Sequence, residues 1–569
     1  MLLEMKYRHL HIVRNLIITI QFYVIAAIMP GCVSVCAQSV QNESDAYYTN
    51  PIMPGNWSDP GVIKVGDDYY SMCSSNEFQP GVPIIHSVDL INWEYIGHAF
   101  LENPLLNAGE TFRGVWGGEM AYNPNTGQYL IYVPVMGNMY VYHASKPEGP
   151  YSGPVKLELE GIDPGFFADE DSSLYIISGK GRIMRLSEDG LKTKELVAQI
   201  DISSHKPFEG PDIFKRGIYY YLVFSPGGTR PHQPGNISTL RATDLKGPWE
   251  KDPQNPNMFC TDNPSSKFEG PAHATLIEID DEQWYLFYHA HELSHYTLGR
   301  PMLLEAVEWT ENGWWKPVNG RIPSRVGEKP ELPESDIILA DSDEFCNESL
   351  GLQWFFNCKP DYSGGSWSLS ERPGFMRIKT KAGDISSDNS LTNVFLQRVT
   401  SKKFEFTTLL DFDAKGNNEK AGLHMYHDAG MNFWLVSSIV EGKKVFEVGK
   451  YNNGKKTVLW TVPNTIGNKV YLKIEVNGEE SASFYYSTNN STWKNLGNEI
   501  YFGDSWMDLR NNMKGSPDLG WVGIKKRNCW SAATFGIFAV SNGAQESNNA
   551  DFDFFRVVLK ETENKGILK

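Results

Sequence analysis

The chain has 569 residues, 41% of them hydrophobic and 13% aromatic, which is material for two or three large cores and excludes a single small fold. A formal net charge of −17 makes nucleic acid and anionic membrane poor partners, whereas neutral glycans are indifferent to it. The seven cysteines form no Cys-x-x-Cys pair or Cys/His cluster, so thiolate-bound zinc is not expected.

Residues 1–37 read as a secretory signal peptide. Lys6, Arg8 and Arg14 precede the apolar run Leu16 to Met29, and small residues lead to a cleavage site at Val35-Cys36-Ala37. The run is short for a membrane span and is broken by Gln21 and by Pro30-Gly31. The mature protein is therefore expected to lack a transmembrane segment and to be secreted or periplasmic, with lipid anchoring through Cys32 as the weaker alternative.

Between residues 60 and 290 one pattern recurs five times: a glycine or polar residue, then aromatics, then a β-branched or apolar run. The copies centre on Tyr70, Tyr129, Tyr175, Tyr220 and Tyr285, and each is followed by a second strand-like run and a polar turn. Units of this size, with several strands each, suit the blades of a five-bladed β-propeller spanning residues 46–320. A β-sandwich whose strands merely resemble one another is the competing reading.

Acid placement favours the propeller. Ser58-Asp59-Pro60, Ile162-Asp163-Pro164 and Phe208-Glu209-Gly210-Pro211 each stand shortly before an aromatic strand, in three different units. Inner strands of a propeller run along its axis, so equivalent positions in different blades meet at one mouth. Two carboxyls facing each other across a sugar ring suffice for glycosidic hydrolysis, one protonating the leaving oxygen and one activating water. A third can set their ionisation. Taken singly, an Asp before Pro is more often a turn former. Trp57 and Trp116 would add flat apolar walls on which sugar faces stack, although either alone more often belongs to a core.

Four prolines punctuate the polar stretch Pro317 to Pro333, and residues 321–336 read as a linker. Residues 337–560 then show alternating strands at Phe404–Phe412, Ala421–Tyr426, Phe433–Val440, Val470–Val476 and Phe535–Ala539, without convincing helical periodicity. The fold class is all-β, a propeller followed by a β-sandwich. Trp354, Trp367, Trp434 and Trp506 would serve either a sandwich core or an accessory glycan site.

Taken in order, Asn50-Pro51-Ile52 through Asp59-Pro60, Gly161 to Asp171, Glu209-Gly210-Pro211-Asp212-Ile213, Gly270-Pro271-Ala272-His273-Ala274 and Leu298-Gly299-Arg300 resemble glycoside hydrolase family 43. Residues 340–560 resemble the concanavalin-like (jelly-roll) sandwich that follows many β-xylosidase-type members. The resemblance implies an inverting mechanism with Asp59 as general base, Glu209 as general acid and Asp163 orienting Glu209 and raising its pKa. It further implies that Arg300 reaches the sugar in the deepest subsite and holds Asp59 ionised. His273 matches a histidine that helps hold a water-ligated calcium in many members, so a structural calcium is an option, while no cofactor is required. Trp116-Gly117-Gly118-Glu119 departs from the usual Trp-Ala-Pro, which leaves flexible glycines and a fourth acid that can touch substrate at an outer subsite. In related proteins the sandwich leans a loop over the channel mouth and turns a groove into a pocket, hence exo action. The implied function is a secreted exo-glycosidase removing β-D-xylosyl or α-L-arabinofuranosyl units from plant cell-wall polysaccharides. The alternatives are a non-catalytic carbohydrate-binding protein and an endo-acting arabinanase.

Overall fold

A computed structural model describes residues 46–560 apart from 77, 103–113, 136, 206, 229–234, 261–265, 281, 357–364, 386–392, 418, 429–430, 453–454, 479, 503–531 and 544–546. The signal-peptide reading and Trp506 thus lie outside the described residues. No helix among the described residues is long and apolar enough to cross a membrane.

The aromatic repeat marks the second strand of a four-stranded antiparallel sheet. In the first blade Gly61–Val65 pairs with Asp68–Met72, then Gly81–Ser87 and Glu94–Phe100 follow. The glycine that opens several copies is the hairpin turn: Val65 pairs with Asp68 around Gly66 at φ 66°, and Arg216 pairs with Tyr219 around Gly217 at φ 60°. A two-residue turn with positive φ twists in the same sense as its strands, so side-chain-free residues are favoured there. The other inner strands are Glu119–Asn123, Gly165–Ala168, Glu209–Arg216 and Phe268–Glu278. Each touches the inner strands of both neighbouring blades, and the fifth touches the first, which closes a five-membered ring. Asn50 helps seal it, its side-chain amide donating to the carbonyls of Leu304 (2.8 Å) and Ser324 (3.1 Å).

The C-terminal strands form two facing sheets of seven and eight strands. Each expected strand is present, Phe404–Phe412 with the expected bounds and the others slightly extended, to Lys420–Asp428, Met431–Val440, Lys469–Val476 and Thr534–Val540. Alternation explains the burial, since successive side chains on a strand face opposite sides. Phe404, Phe406, Phe535 and Phe555 meet between the sheets, and Trp354 packs on Phe555 with ring centroids 5.0 Å apart. Trp354 and Trp434 are both 1% exposed, so they fill interiors and present no glycan-binding face. Truncating Phe555 to Ala should cost about 3–5 kcal/mol of sandwich stability, read as a lowered thermal midpoint; an unchanged midpoint would contradict this packing.

Candidate active site

Four of the five inner strands are entered through the same backbone step, a left-handed residue followed by proline. Asp59-Pro60, Asp163-Pro164, Gly210-Pro211 and Gly270-Pro271 have φ values of 57°, 52°, 51° and 64° at the residue before proline. Left-handed backbone costs a residue with a Cβ roughly 1–2 kcal/mol, and the following proline adds its own restriction. Glycine escapes the Cβ cost and aspartate tolerates it better than most residues. Two blades therefore use glycine, and two accept strain in order to carry a carboxylate.

Asp59, only 6% exposed, lies against Arg300, itself 4% exposed. The guanidinium forks onto it, Nη1 to Oδ1 at 2.8 Å and Nη2 to Oδ2 at 3.3 Å. Ser74 Oγ donates to Oδ2 at 2.5 Å and accepts from Gly117 N at 2.7 Å. His289 Nδ1 accepts the Asp59 backbone N–H at 3.0 Å, which puts the ring proton on Nε2. Burial holds His289 well below the usual histidine range, so this imidazole is neutral. Burial alone would raise the Asp59 carboxyl, but the Arg300 charge above all, with the Ser74 hydrogen bond, brings it well below the ordinary carboxylate range.

Asp163 is equally buried and ionises in the opposite sense. Desolvation, then the charges of Glu209 and Asp59, push its carboxyl well up, against a hydrogen bond from Gly210 N to Oδ2 at 3.0 Å. That bond ties Asp163 to the peptide next to Glu209, the first residue of its inner strand. His273, also at positive φ, donates its N–H to Ser225 Oγ at 2.8 Å, and Ser225 pairs with Glu209 across the blade. His273 Nδ1 stands 3.6 Å from Asp59 Oδ1, and a Cβ on Gly210 would come within 2.8 Å of the His273 Cα. Asp59, Asp163, Glu209, Arg300 and His273 are thus brought together. Burial lowers the His273 pKa, leaving a neutral ring. Among the described residues no three His, Cys, Asp or Glu side chains are grouped as direct metal ligands. The donor set around His273 thus does not fit a directly ligated ion.

Three expectations need correction. Trp57 is fully buried, its Nε1 donating to Pro54 O and its ring packed near Tyr95, so it is a core residue and not a sugar platform. Gly117 and Gly118 are packed, not flexible: a side chain at Gly117 would strike the Asp163 carboxylate, and one at Gly118 would meet Met72 and Val133 at 2.7 Å. Glu119, expected to be able to touch substrate, is buried at the start of the second inner strand, beside Gly61. Burial raises its pKa well up, with the Asp212 charge adding to it, and burial also pushes Asp212 up to about 7. Trp116 is half-buried next to Gly117.

Sequence reasoning missed Ser74, His289 and the part of Asp212 as the buried neighbour of Glu119. Ser74 follows the second strand of blade one and His289 lies near the end of that strand in blade five. A search for polar residues at that equivalent point would have found both.

Two family models match the chain in succession. Residues 48–315 match the model of Glycosyl hydrolases family 43, and residues 342–558 match that of the Beta xylosidase C-terminal Concanavalin A-like domain. The chain belongs to glycoside hydrolase family 43. A non-reducing end alpha-L-arabinofuranosidase of Bacteroides ovatus is 28% identical over 89% of this chain and 94% of its own length. A beta-xylosidase of Bacillus subtilis is 26% identical over 79% of this chain and 90% of its own. The solved GH43 protein BlXynB of Bacillus licheniformis superposes with a TM-score of 0.79 at 28% identity, covering 90% of this chain and all of that one. This family 43 protein is accordingly a glycoside hydrolase.

The raised Asp163 pKa has a stability consequence. A carboxyl with a folded pKa above its unfolded value of about 3.9 contributes fully below that value, and the contribution fades as pH climbs toward the folded pKa. Asp163→Asn cannot ionise, so its thermal midpoint relative to wild type should be more favourable at pH 7 than at pH 4. An equal difference at both pH values would contradict the assignment.

Proposed function

We propose that this protein is an inverting exo-glycosidase that removes terminal β-D-xylosyl or α-L-arabinofuranosyl residues from plant cell-wall glycans, acting outside the cytoplasm. The observation that carries the reading is the opposite ionisation of two equally buried carboxyls at one mouth of the propeller. Asp59, kept as carboxylate by Arg300, suits a base. Asp163 and Glu209 resist ionising together, so the pair retains a proton for the acid step, and Asp163, bonded to the peptide beside Glu209, suits a group that holds the acid in place. The names of the curated relatives support a terminal pentose, and both xylose and arabinofuranose offer a pocket similar hydroxyls. The leader pattern of residues 1–37 supports export.

In this mechanism a water on one face of the sugar attacks the anomeric carbon while Asp59 takes its proton. Glu209 gives its proton to the departing glycosidic oxygen as the carbon–oxygen bond breaks. One proton enters the site through Asp59 and one leaves through Glu209, so solvent exchange restores the starting state. The new hydroxyl lies on the face opposite the bond that was cleaved, which inverts the anomeric centre. Arg300, with both terminal nitrogens turned onto Asp59, serves first as counter-ion of the base, and Trp116 offers the stacking surface. No step is routed through a metal.

Asp59→Ala and Glu209→Ala are each expected to lower kcat on nitrophenyl pentosides by about 10²–10⁴-fold. Proton NMR of the first-released pentose should show the inverted anomer. Turnover by Asp59→Ala at the wild-type rate, or purely internal cleavage of a linear arabinan, would overturn the reading.

A further inference from the structure

Arg398 closes the sandwich strand Asn393–Arg398, yet its guanidinium is spent on the propeller. Nε donates to Asn56 O at 3.1 Å, Nη1 to the Tyr95 hydroxyl at 3.3 Å and Nη2 to Cys73 Sγ at 3.6 Å. The cation also lies over the Trp57 ring, 4.6 Å from its centroid. Asn56 and Trp57 are the residues that lock the two halves of the Asp59–Arg300 pair together. Asn56 Oδ1 accepts from Arg300 N at 3.1 Å, and Trp57 N donates to Arg300 O at 3.1 Å. The sandwich backbone closes on the same segments: a Cβ on Gly55 would collide with the Val399 carbonyl, and one on Gly299 would come within 2.6 Å of Ala532 Cβ.

Among the described residues Arg398 is in no ion pair with a carboxylate. Its charge is met by a carbonyl, a phenol, a thiol and an aromatic face. Domain docking alone would be served at lower cost by an apolar residue of similar volume, because a desolvated cation without a counter-ion is expensive. A planar fork that must reach three acceptors at once is instead a device for fixing geometry.

We propose that Arg398 is a positioning residue of the active site: from the C-terminal domain it clamps the Asn56–Trp57 segment and so sets Asp59 against Arg300. The proposal rests on the reading of Asp59 as base. In the full-length chain, Arg398→Met keeps the stem and loses the fork, while Arg398→Lys keeps the charge on a single donor nitrogen that cannot reach all three acceptors.

With a nitrophenyl pentoside as substrate, at a temperature well below each variant's thermal midpoint, Arg398→Met should lower kcat about 10- to 100-fold and leave KM within about threefold. Arg398→Lys should recover part of that loss, and added methylguanidinium should recover part of it in Arg398→Ala. Folded Met and Lys variants with wild-type kcat, or losses explained wholly by a smaller folded fraction, would overturn the clamp. If the Met variant does not fold, Tyr95→Phe takes its place. Removing that one acceptor should lower kcat several-fold, and an unchanged kcat would count against the proposal. Asp59→Ala separates the two claims, since an active Asp59→Ala sinks the base assignment itself, whereas an inert one beside normal Arg398 variants sinks the clamp alone.

Discussion

The left-handed step before proline at the head of the inner strands is the constraint on which the site depends. A propeller places its inner strands around one axis, but strand geometry alone alternates side chains between neighbouring blades. The positive φ at Asp59 and Asp163 takes each residue out of that alternation and sets its carboxylate among residues of other blades. The same turn at Gly210 lets the chain pass against His273 where any side chain would intrude. Strain of this kind persists when the surroundings over-determine it. Here the surroundings are a closed ring of five strands.

Given that frame, electrostatics differentiates the acids. Asp59 and Asp163 are equally hidden from solvent, and desolvation pushes both carboxyls toward the protonated form. Of the two, Asp59 has the forked Arg300 guanidinium on its oxygens and the Ser74 hydroxyl besides, and these contacts, the Arg300 charge foremost, reverse the outcome. Among the described residues no cation acts in this way on Glu119 or Asp212, and both rise. The site thus holds one firmly ionised carboxylate amid acids that resist ionisation.

Much of this was legible in the sequence because it is local. The five aromatic copies are hairpins, the Asp-Pro and Gly-Pro dipeptides mark where inner strands begin, and alternation marks the sandwich strands. What escaped was made by distance along the chain. Asp59 and Arg300 are 241 residues apart, and Arg398 reaches Asn56 across 342. Trp57 looked like a sugar platform because it neighbours Asp59, yet the backbone that turns the carboxylate onto Arg300 buries the indole against Tyr95 and Arg398. The glycines after Trp116 looked flexible because sequence shows small residues without showing that neighbouring side chains have taken the space.

The central claim is geometric: one mouth of the ring holds a base and an acid on opposite faces of a sugar, with room for a water. A crystal structure of the protein with a pentose bound tests it most directly. The account predicts the anomeric carbon between Asp59 and Glu209, with the two carboxyl groups roughly 6.5–9.5 Å apart. A pentose bound elsewhere, or carboxyls only about 5 Å apart as retention requires, would contradict it.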